Sequence, residues 1–274
     1  LSWAAGLRAI APCDVICVHV AWPLAEHVRL GMPAVSEEQR LDPQVRQIVE
    51  RDLGRFMGEL SGTGSSSSRV VLSWGRPEAA LVQVAEEEHA DLLVVGTHQR
   101  SLWGRFWYGS VSRGVLQHAT MSVACVSATA VHVELPVPSF KRVLVTTDFS
   151  DVANRAIPYA YALAGRGGVV HLLHVVTHKL SASDPDPRVR LLSLVPSDAR
   201  ERSIESVVDV IEGEDAASGI WHAAERLAVD AVCMASHGRT GLVHALVGSQ
   251  AEEVMRRCRC PVLLVPPERA RDEV

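Results

Sequence analysis

Asp148, Gly238, Gly248 and Ser249 are the residues of this chain whose types and spacing could do chemistry. Residues 231–265 read AVCMASHGRTGLVHALVGSQAEEVMRRCRCPVLLV. A short apolar run, 231–234, passes into the small, polar turn Ser236-His237-Gly238-Arg239-Thr240-Gly241. Gly248-Ser249 then opens a helical run that Pro261 stops. A strand feeding a glycine-bearing loop and a helix start is an anion-binding geometry. Free backbone N–H groups and the helix dipole favour negative charge, and glycine lets backbone approach a phosphate closely. His237 lies in this turn, but a small-residue turn does not supply a positioned general base.

The stretch is present twice. Residues 92–126 read LLVVGTHQRSLWGRFWYGSVSRGVLQHATMSVACV, with Asp91 matching Asp230, His98 matching His237, and Gly109-Ser110 matching Gly248-Ser249. The offset is a constant 139. A constant offset over that length means duplication, of a unit the size of a small domain rather than of a solenoid repeat.

A chain of 274 residues has room for two such units, each able to bury a core. Its 47% apolar and 22% charged residues describe a globular protein rather than a disordered one. A net charge of −5 argues against a general nucleic-acid or anionic-membrane surface, so neither partner is expected. No apolar run reaches transmembrane length, and residues 1–10 lack the basic start and long apolar run of a signal peptide. Cytoplasm is the expected location.

The six cysteines (Cys13, Cys17, Cys125, Cys233, Cys258 and Cys260) form no CxxC pair and no ligand spacing. Most sit in apolar runs, as reduced buried thiols do, and Cys258-x-Cys260 reads as structural. His171, His174 and His178 do not make a metal site, because residues 171 and 174 of a strand point to opposite faces. Trp103, Phe106, Trp107 and Tyr108 cluster in a chain only 5% aromatic. Packing against the other half or a partner subunit accounts for them better than base stacking.

The elements that must position these residues alternate between strand and helix. Strands are expected at 14–20, 69–74, 92–95, 123–126, 142–147, 169–176, 204–211, 231–234 and 262–265. Helices are expected at 2–11, 43–60, 77–89, 150–166, 215–228 and 189–202, the last broken near Pro196. Ser150 is placed to cap its helix and Gly167-Gly168 to close it. Residues 61–68 (SGTGSSSS) and 129–139, with Pro136 and Pro138, read as connections. Strands that are continuous apolar runs indicate parallel sheets covered on both faces, hence an α/β fold. Such sheets bind ligands outside the carboxyl ends of their strands, at the topological switch point. Asp148, Val175 and the 235–238 loop stand at those ends.

The two halves do not start alike. Residues 2–21 align with 157–176 at an offset of 155, pairing His19-Val20 with His174-Val175. The partner of residues 141–156 would lie before Leu1. The first copy is therefore expected to lack its opening strand and the loop bearing the Asp. Because the chain starts at Leu1 rather than Met, the simplest reading is that upstream residues are missing. The alternative is a real deletion that leaves a gap in the middle of a sheet.

The second half resembles the universal stress protein family along its whole length. The resemblance rests on the opening strand with its Asp (VLVTTDFS), the second strand ending LLHV, and the long motif. ATP-binding members carry Gly-x2-Gly-x9-Gly-Ser/Thr. The second copy reads Ala235-x2-Gly238-x9-Gly248-Ser249, and the first reads Gly96-x2-Gln99-x9-Gly109-Ser110, so each departs at one glycine. The resemblance implies two tandem Rossmann-like domains of the adenine nucleotide alpha hydrolase type, 1–130 and 138–267, with parallel five-stranded sheets. The first would be one strand short. It implies ATP or a related adenine nucleotide, with magnesium as its companion ion. Thr146, Thr147 and Asp148 would lie against adenine and ribose, the Val175 backbone at the adenine edge, and Met234 and Ala235 beside the ribose. Gly238, Gly248, Ser249 and Gln250 would hold the phosphates. The matching first-copy positions Val20, Gly96, Gly109 and Ser110 would make a weaker site.

Blander roles stand beside these. Ser249-x-x-Glu252 is a capping box, Gly238 and Gly248 could be ordinary turn glycines, and Asp148 could cap the next helix. The lead reading is a non-enzymatic stress-response sensor or regulator, with weak ATP hydrolysis at most. Its two halves would form internally the contact that single-domain relatives form as dimers, with the strands at 123–126 and 262–264 near the axis, and a homodimer is also open. The second reading is a stress-response scaffold that binds no nucleotide and acts through dimerisation and partner contacts. A nucleotide-transferring enzyme is weaker, since neither half has an SGGxDS-like loop or GxxxxGK[ST].

Overall fold

The computed structural model describes residues 13–21, 68–74, 76–97, 110–127, 140–177, 184–237 and 247–267, with Trp3, Gly6, Leu7, Ile10, Ala11, Gln47, Arg51 and Gly54. The helix expected at 43–60 and the aromatic cluster at 103–108 lie outside this set, apart from isolated positions of the helix.

The first half supplies β1 (Val15–Ala21), β2 (Ser68–Trp74), α1 (Pro77–Glu87), β3 (Leu92–Thr97), α2 (Ser110–His118) and β4 (Ser122–Ser127). The second supplies β5 (Arg142–Thr146), α3 (Asp151–Asn154), α4 (Ala156–Ala164), β6 (Val169–Val176), α5 (Pro187–Ser193), β7 (Glu205–Glu212), α6 (Ala216–Leu227), β8 (Ala231–Ala235), α7 (Ser249–Arg257) and β9 (Val262–Val265). The single helix expected at 150–166 is two. Pro158 lacks the N–H that would bond the Asn154 carbonyl, and its ring crowds that carbonyl, so the helix breaks at Arg155. It closes at Gly165, at φ 61, earlier than the expected glycine pair.

Seven strands form one sheet in the order β3-β4-β9-β8-β5-β6-β7. Every pairing is parallel except β4 with β9, which join the halves antiparallel through Val123↔Leu264, Ala124↔Leu263 and Cys125↔Val262. The second half is thus a five-stranded parallel sheet. Its central strands are buried along nearly their whole length, as strands covered on both faces must be. In the first half β1 pairs with β2, and β3 with β4. Among the described residues no strand joins the two pairs, where β5 bonds both β6 and β8 in the second half. The expected missing strand is therefore seen as a break between β1 and β3.

Alternate residues of each strand feed two cores. Val143, Val145, Val170, Leu172 and Cys233 pack with Ala156, Ala160 and Tyr161 of α4. Leu144, Leu173, Val232 and Leu264 pack with Ile220 and Ala223 of α6 and Val254 of α7. First-half residues enter both, Ala124 the one and Val115, Val123 and Cys125 the other. Trp3 adds a second join, edge-on to Phe140 at 5.3 Å between ring centroids, both buried. No helix among the described residues is long and apolar enough to cross a membrane.

Candidate functional site

The sheet order reverses at β5. Its neighbour β6 lies on one side, and β8, reached by a crossover, on the other. A crevice opens at the carboxyl ends of strands at such a point. A cleft of about 340 Å³ is found there. Nine of the residues singled out from the sequence line it: Thr146, Thr147, Asp148, Val175, Met234, Ala235, Gly248, Ser249 and Gln250. Gly238 lies outside the described residues.

One wall is the loop after β5. Thr147 is committed to building it. Its N–H donates to the Leu173 carbonyl at 3.0 Å, its hydroxyl donates to Asn154 Oδ1 at 2.7 Å and accepts from Phe149 N at 2.8 Å, and its carbonyl accepts from His174 Nδ1 at 2.8 Å. Asp148 Oδ1 accepts from Ser150 N at 2.9 Å and Ser150 Oγ at 2.6 Å, while Ser150 Oγ accepts from Ala153 N and caps α3. The cap is thus Ser150, as its position in the sequence indicates, and Asp148 braces it. Phe149, at φ 66, turns the chain sharply, and its ring lies between His174, 4.3 Å away, and the Arg190 guanidinium, 3.9 Å away.

Val175 forms the floor. In a parallel strand the N–H and C=O of one residue point to the same side, and alternate residues to opposite sides. The Leu173 carbonyl faces β5, where it accepts from Thr147, and the Val176 carbonyl faces β7, where it accepts from Gly213. Val175 therefore turns its backbone groups toward the β5 side, past the last β5 rung and into the cleft. Gly219 lets α6 close on this floor, since a Cβ there would stand 2.8 Å from Val175 Cγ1.

The opposite wall is the start of α7. Gly248 is its N-cap, at φ −56 and ψ 146, with no side-chain cap. The capping box read from Ser249 and Glu252 is therefore not formed, and Ser249 is instead the exposed first residue of the helix. Gly248 N donates to the Ser236 carbonyl at 2.8 Å, and Glu252 N to the Gly248 carbonyl at 3.0 Å. The amides of Ser249, Gln250 and Ala251 have no acceptor within the helix, and all three residues line the cleft. Gln250 differs from expectation in one respect: its Oε1 is spent on Ala217 N, 2.8 Å away. Asp215 caps α6 through Ser218, whose side-chain and backbone hydrogen bonds hold the carboxyl below its usual range.

Ala235, standing in place of a glycine, is buried and has no positive φ. Gly96, its first-copy counterpart, has none either, and a Cβ there would meet nothing within 4 Å. Glycine is thus not required at this position by backbone conformation. In the first copy the Gly96 carbonyl accepts from Ser112 Oγ at 3.0 Å. Val20 pairs with Ser73 in the separate two-stranded sheet, so the structure does not join Val20 to Gly96. Ser110 begins α2, and Gly109 lies outside the described residues.

The sequence alone gives His237 no role, yet it lines the cleft. Its Nδ1 is 3.0 Å from Ser236 Oγ, and its Nε2 is buried with no hydrogen-bond partner among the described residues. The Ser-His dipeptide is legible in the sequence, but the burial of one ring nitrogen is not.

His171 bonds Asp209 Oδ2 through Nδ1 at 3.2 Å, on the opposite sheet face from His174. No group of three metal-ligating side chains occurs among the described residues. A second hollow of about 300 Å³ lies between the halves, beside Asp91, Arg155 and Tyr159. It contains none of the residues assigned to nucleotide.

The chain matches the universal stress protein family model twice, over residues 1–127 and 139–266. A universal stress protein of Mycobacterium tuberculosis is 26% identical over 230 residues, 80% of this chain and 76% of that protein. One from Methanocaldococcus jannaschii is 29% identical over 140 residues, 46% of this chain and 82% of that protein. The crystal structure of a universal stress protein from Archaeoglobus fulgidus superposes with a TM-score of 0.73 at 24% identity, covering 97% of this chain and 90% of that one. The duplicated motif, the parallel sheet with its cleft at the order reversal, and two matches that together span nearly the whole chain lead to one conclusion: the chain belongs to the universal stress protein family.

Proposed function

We propose that the cleft of the second half binds ATP or a related adenine nucleotide, and that the protein acts as a stress-response sensor or regulator. The observation that carries this reading is the pairing of two unlike walls across one crevice. The Val175 backbone and the Asp148 loop suit the hydrogen-bonding edges of an adenosine, and the amides at the start of α7 suit phosphate oxygens. Magnesium would accompany a bound triphosphate. The domains would run over 1–130 and 138–267, with the antiparallel β4–β9 pairing as an internal pseudo-twofold contact, and a homodimer would add a second interface. Turnover would be slow at most, and the cytoplasm is the compartment this role fits.

Calorimetric titration of the purified chain with ATP, alongside assay for copurified nucleotide, tests the reading. One site per chain with an adenine preference supports it, and absence of both signals overturns it. The scaffold reading is favoured by one observation, the commitment of the Gln250 amide oxygen to Ala217 rather than to the cleft. It requires that no nucleotide bind.

A further inference from the structure

We infer that His237 hydrogen-bonds a phosphate oxygen of the bound nucleotide through Nε2, and that Ser236 holds the ring for this contact. The inference rests on the nucleotide reading above and adds to it a residue that separates phosphorylated from unphosphorylated ligands.

Ser236 is fixed at both ends. Its N–H donates to the Val265 carbonyl at 2.9 Å, extending the β8–β9 ladder, and its carbonyl accepts from Gly248 N at 2.8 Å. The residue is therefore clamped between a strand and the start of α7, and His237 follows it directly. Ser236 Oγ stands 3.0 Å from Nδ1. One ring nitrogen is thus anchored, and the ring is aimed by an element that cannot shift without breaking two backbone hydrogen bonds.

The other nitrogen, Nε2, is buried and has no hydrogen-bond partner among the described residues. A buried polar atom left unpaired is destabilising, so a polar partner belongs there. His237 lines the same cleft as Gly248, Ser249 and the open amides of α7. An anion drawn to those amides brings its oxygens to the side of the cleft that His237 lines. A phosphate oxygen only accepts, so its binding selects the ring states that carry a proton on Nε2. When Ser236 donates to Nδ1, the neutral ring carries its proton on Nε2 and donates to the oxygen. When the ring is protonated, Ser236 accepts instead and Nε2 still donates. Either state offers a phosphate a donor, and neither requires Ser236 to move.

The test is titration of the full chain and of His237→Ala, His237→Gln and Ser236→Ala with ATP and, separately, with adenosine. Thermal unfolding of each variant reports on folding. Loss of one hydrogen bond to a charged oxygen lowers affinity roughly tenfold or more. His237→Ala is expected to weaken ATP by about that factor and to leave adenosine within about twofold. His237→Gln, whose amide keeps a donor, is expected to recover part of the loss. Ser236→Ala is expected to weaken ATP by a smaller factor, again without effect on adenosine. Equal weakening of ATP and adenosine, or unchanged ATP binding in a folded His237→Ala protein, overturns the inference. Failure of the unaltered chain to bind either ligand removes the nucleotide reading itself, and this inference with it.

Discussion

Gln250 reaches from the first turn of α7 to the start of α6, its Oε1 2.8 Å from Ala217 N. The bond ties together two helix N-termini that border the cleft. Gln250→Ala is expected to cost about 1 kcal/mol of stability, a typical net value for one such bond, with a lowered Tm. Gln250→Glu retains the acceptor and places a negative charge where two helix dipoles welcome it, so the Tm should hold. The same charge should repel phosphate. ATP affinity is expected to fall severalfold in titration while adenosine affinity stays.

Gly248 and Gly109 occupy matching places in the two copies. A Cβ on Gly248 would meet the Ser236 carbonyl at 3.4 Å and His237 Cα at 3.8 Å, ordinary contacts, and φ is −56. Gly248→Val should therefore fold and fill the space a phosphate needs. ATP binding is expected to be abolished, whereas Gly109→Val should change it little. Calorimetry on both variants, with far-UV circular dichroism as the folding control, checks this. Equal losses would assign the nucleotide to both halves.

Asp230 Oδ2 accepts from both Lys141 N and Arg142 N, at 2.8 Å each, and so pins the entry to β5 beside β8. Asp230→Ala is expected to lose about 2–3 kcal/mol, two backbone bonds to a charged acceptor. Asp91→Ala, its counterpart in the copy with no opening strand among the described residues, should lose far less. Denaturant unfolding of the pair measures the difference.

The thiols should react in a set order. The Cys258 side chain, hydrogen-bonded to Cys260, lowers the Cys260 pKa, while burial raises Cys233 and pushes Cys125 up to about 12. Iodoacetamide at pH 8 is expected to modify Cys260 in the folded chain, and Cys125 and Cys233 only on unfolding. A thiol in the unfolded chain ionises near 9.0, but native Cys125 keeps its proton to about 12. The folded state thus holds more protons in that window. Its stability is full below pH 9 and declines as pH rises from 9 toward 12.

The fold was legible because duplication and continuous apolar strands are both properties of the sequence itself. Even the break between β1 and β3 followed from the mismatched offsets of 139 and 155. The break in the helix at 150–166 was also written there, in Pro158, but a proline in the first turns of a helix is usually harmless and the periodicity masked it. At the site, residue types located the walls of the cleft. What they could not reveal was how side chains are shared: that Thr147 spends its hydroxyl on Asn154, that Gln250 spends its oxygen on Ala217, and that one nitrogen of His237 is left over. Such allocations depend on which element arrives beside which, and no spacing within one stretch encodes them.

The antiparallel rung between Val123 and Leu264 couples strands from the middle and the far end of the chain. During synthesis on the ribosome, β4 emerges early with that edge bare. It stays so until almost the whole second half has been made. Val123, Ala124 and Cys125, all buried in the finished sheet, must wait exposed for a partner made long after them. A bare apolar strand edge is a template for pairing with another nascent chain. The interval between the two strands is thus the time during which this protein is most exposed to aggregation, and chaperone demand should fall on the unfinished chain rather than the finished one.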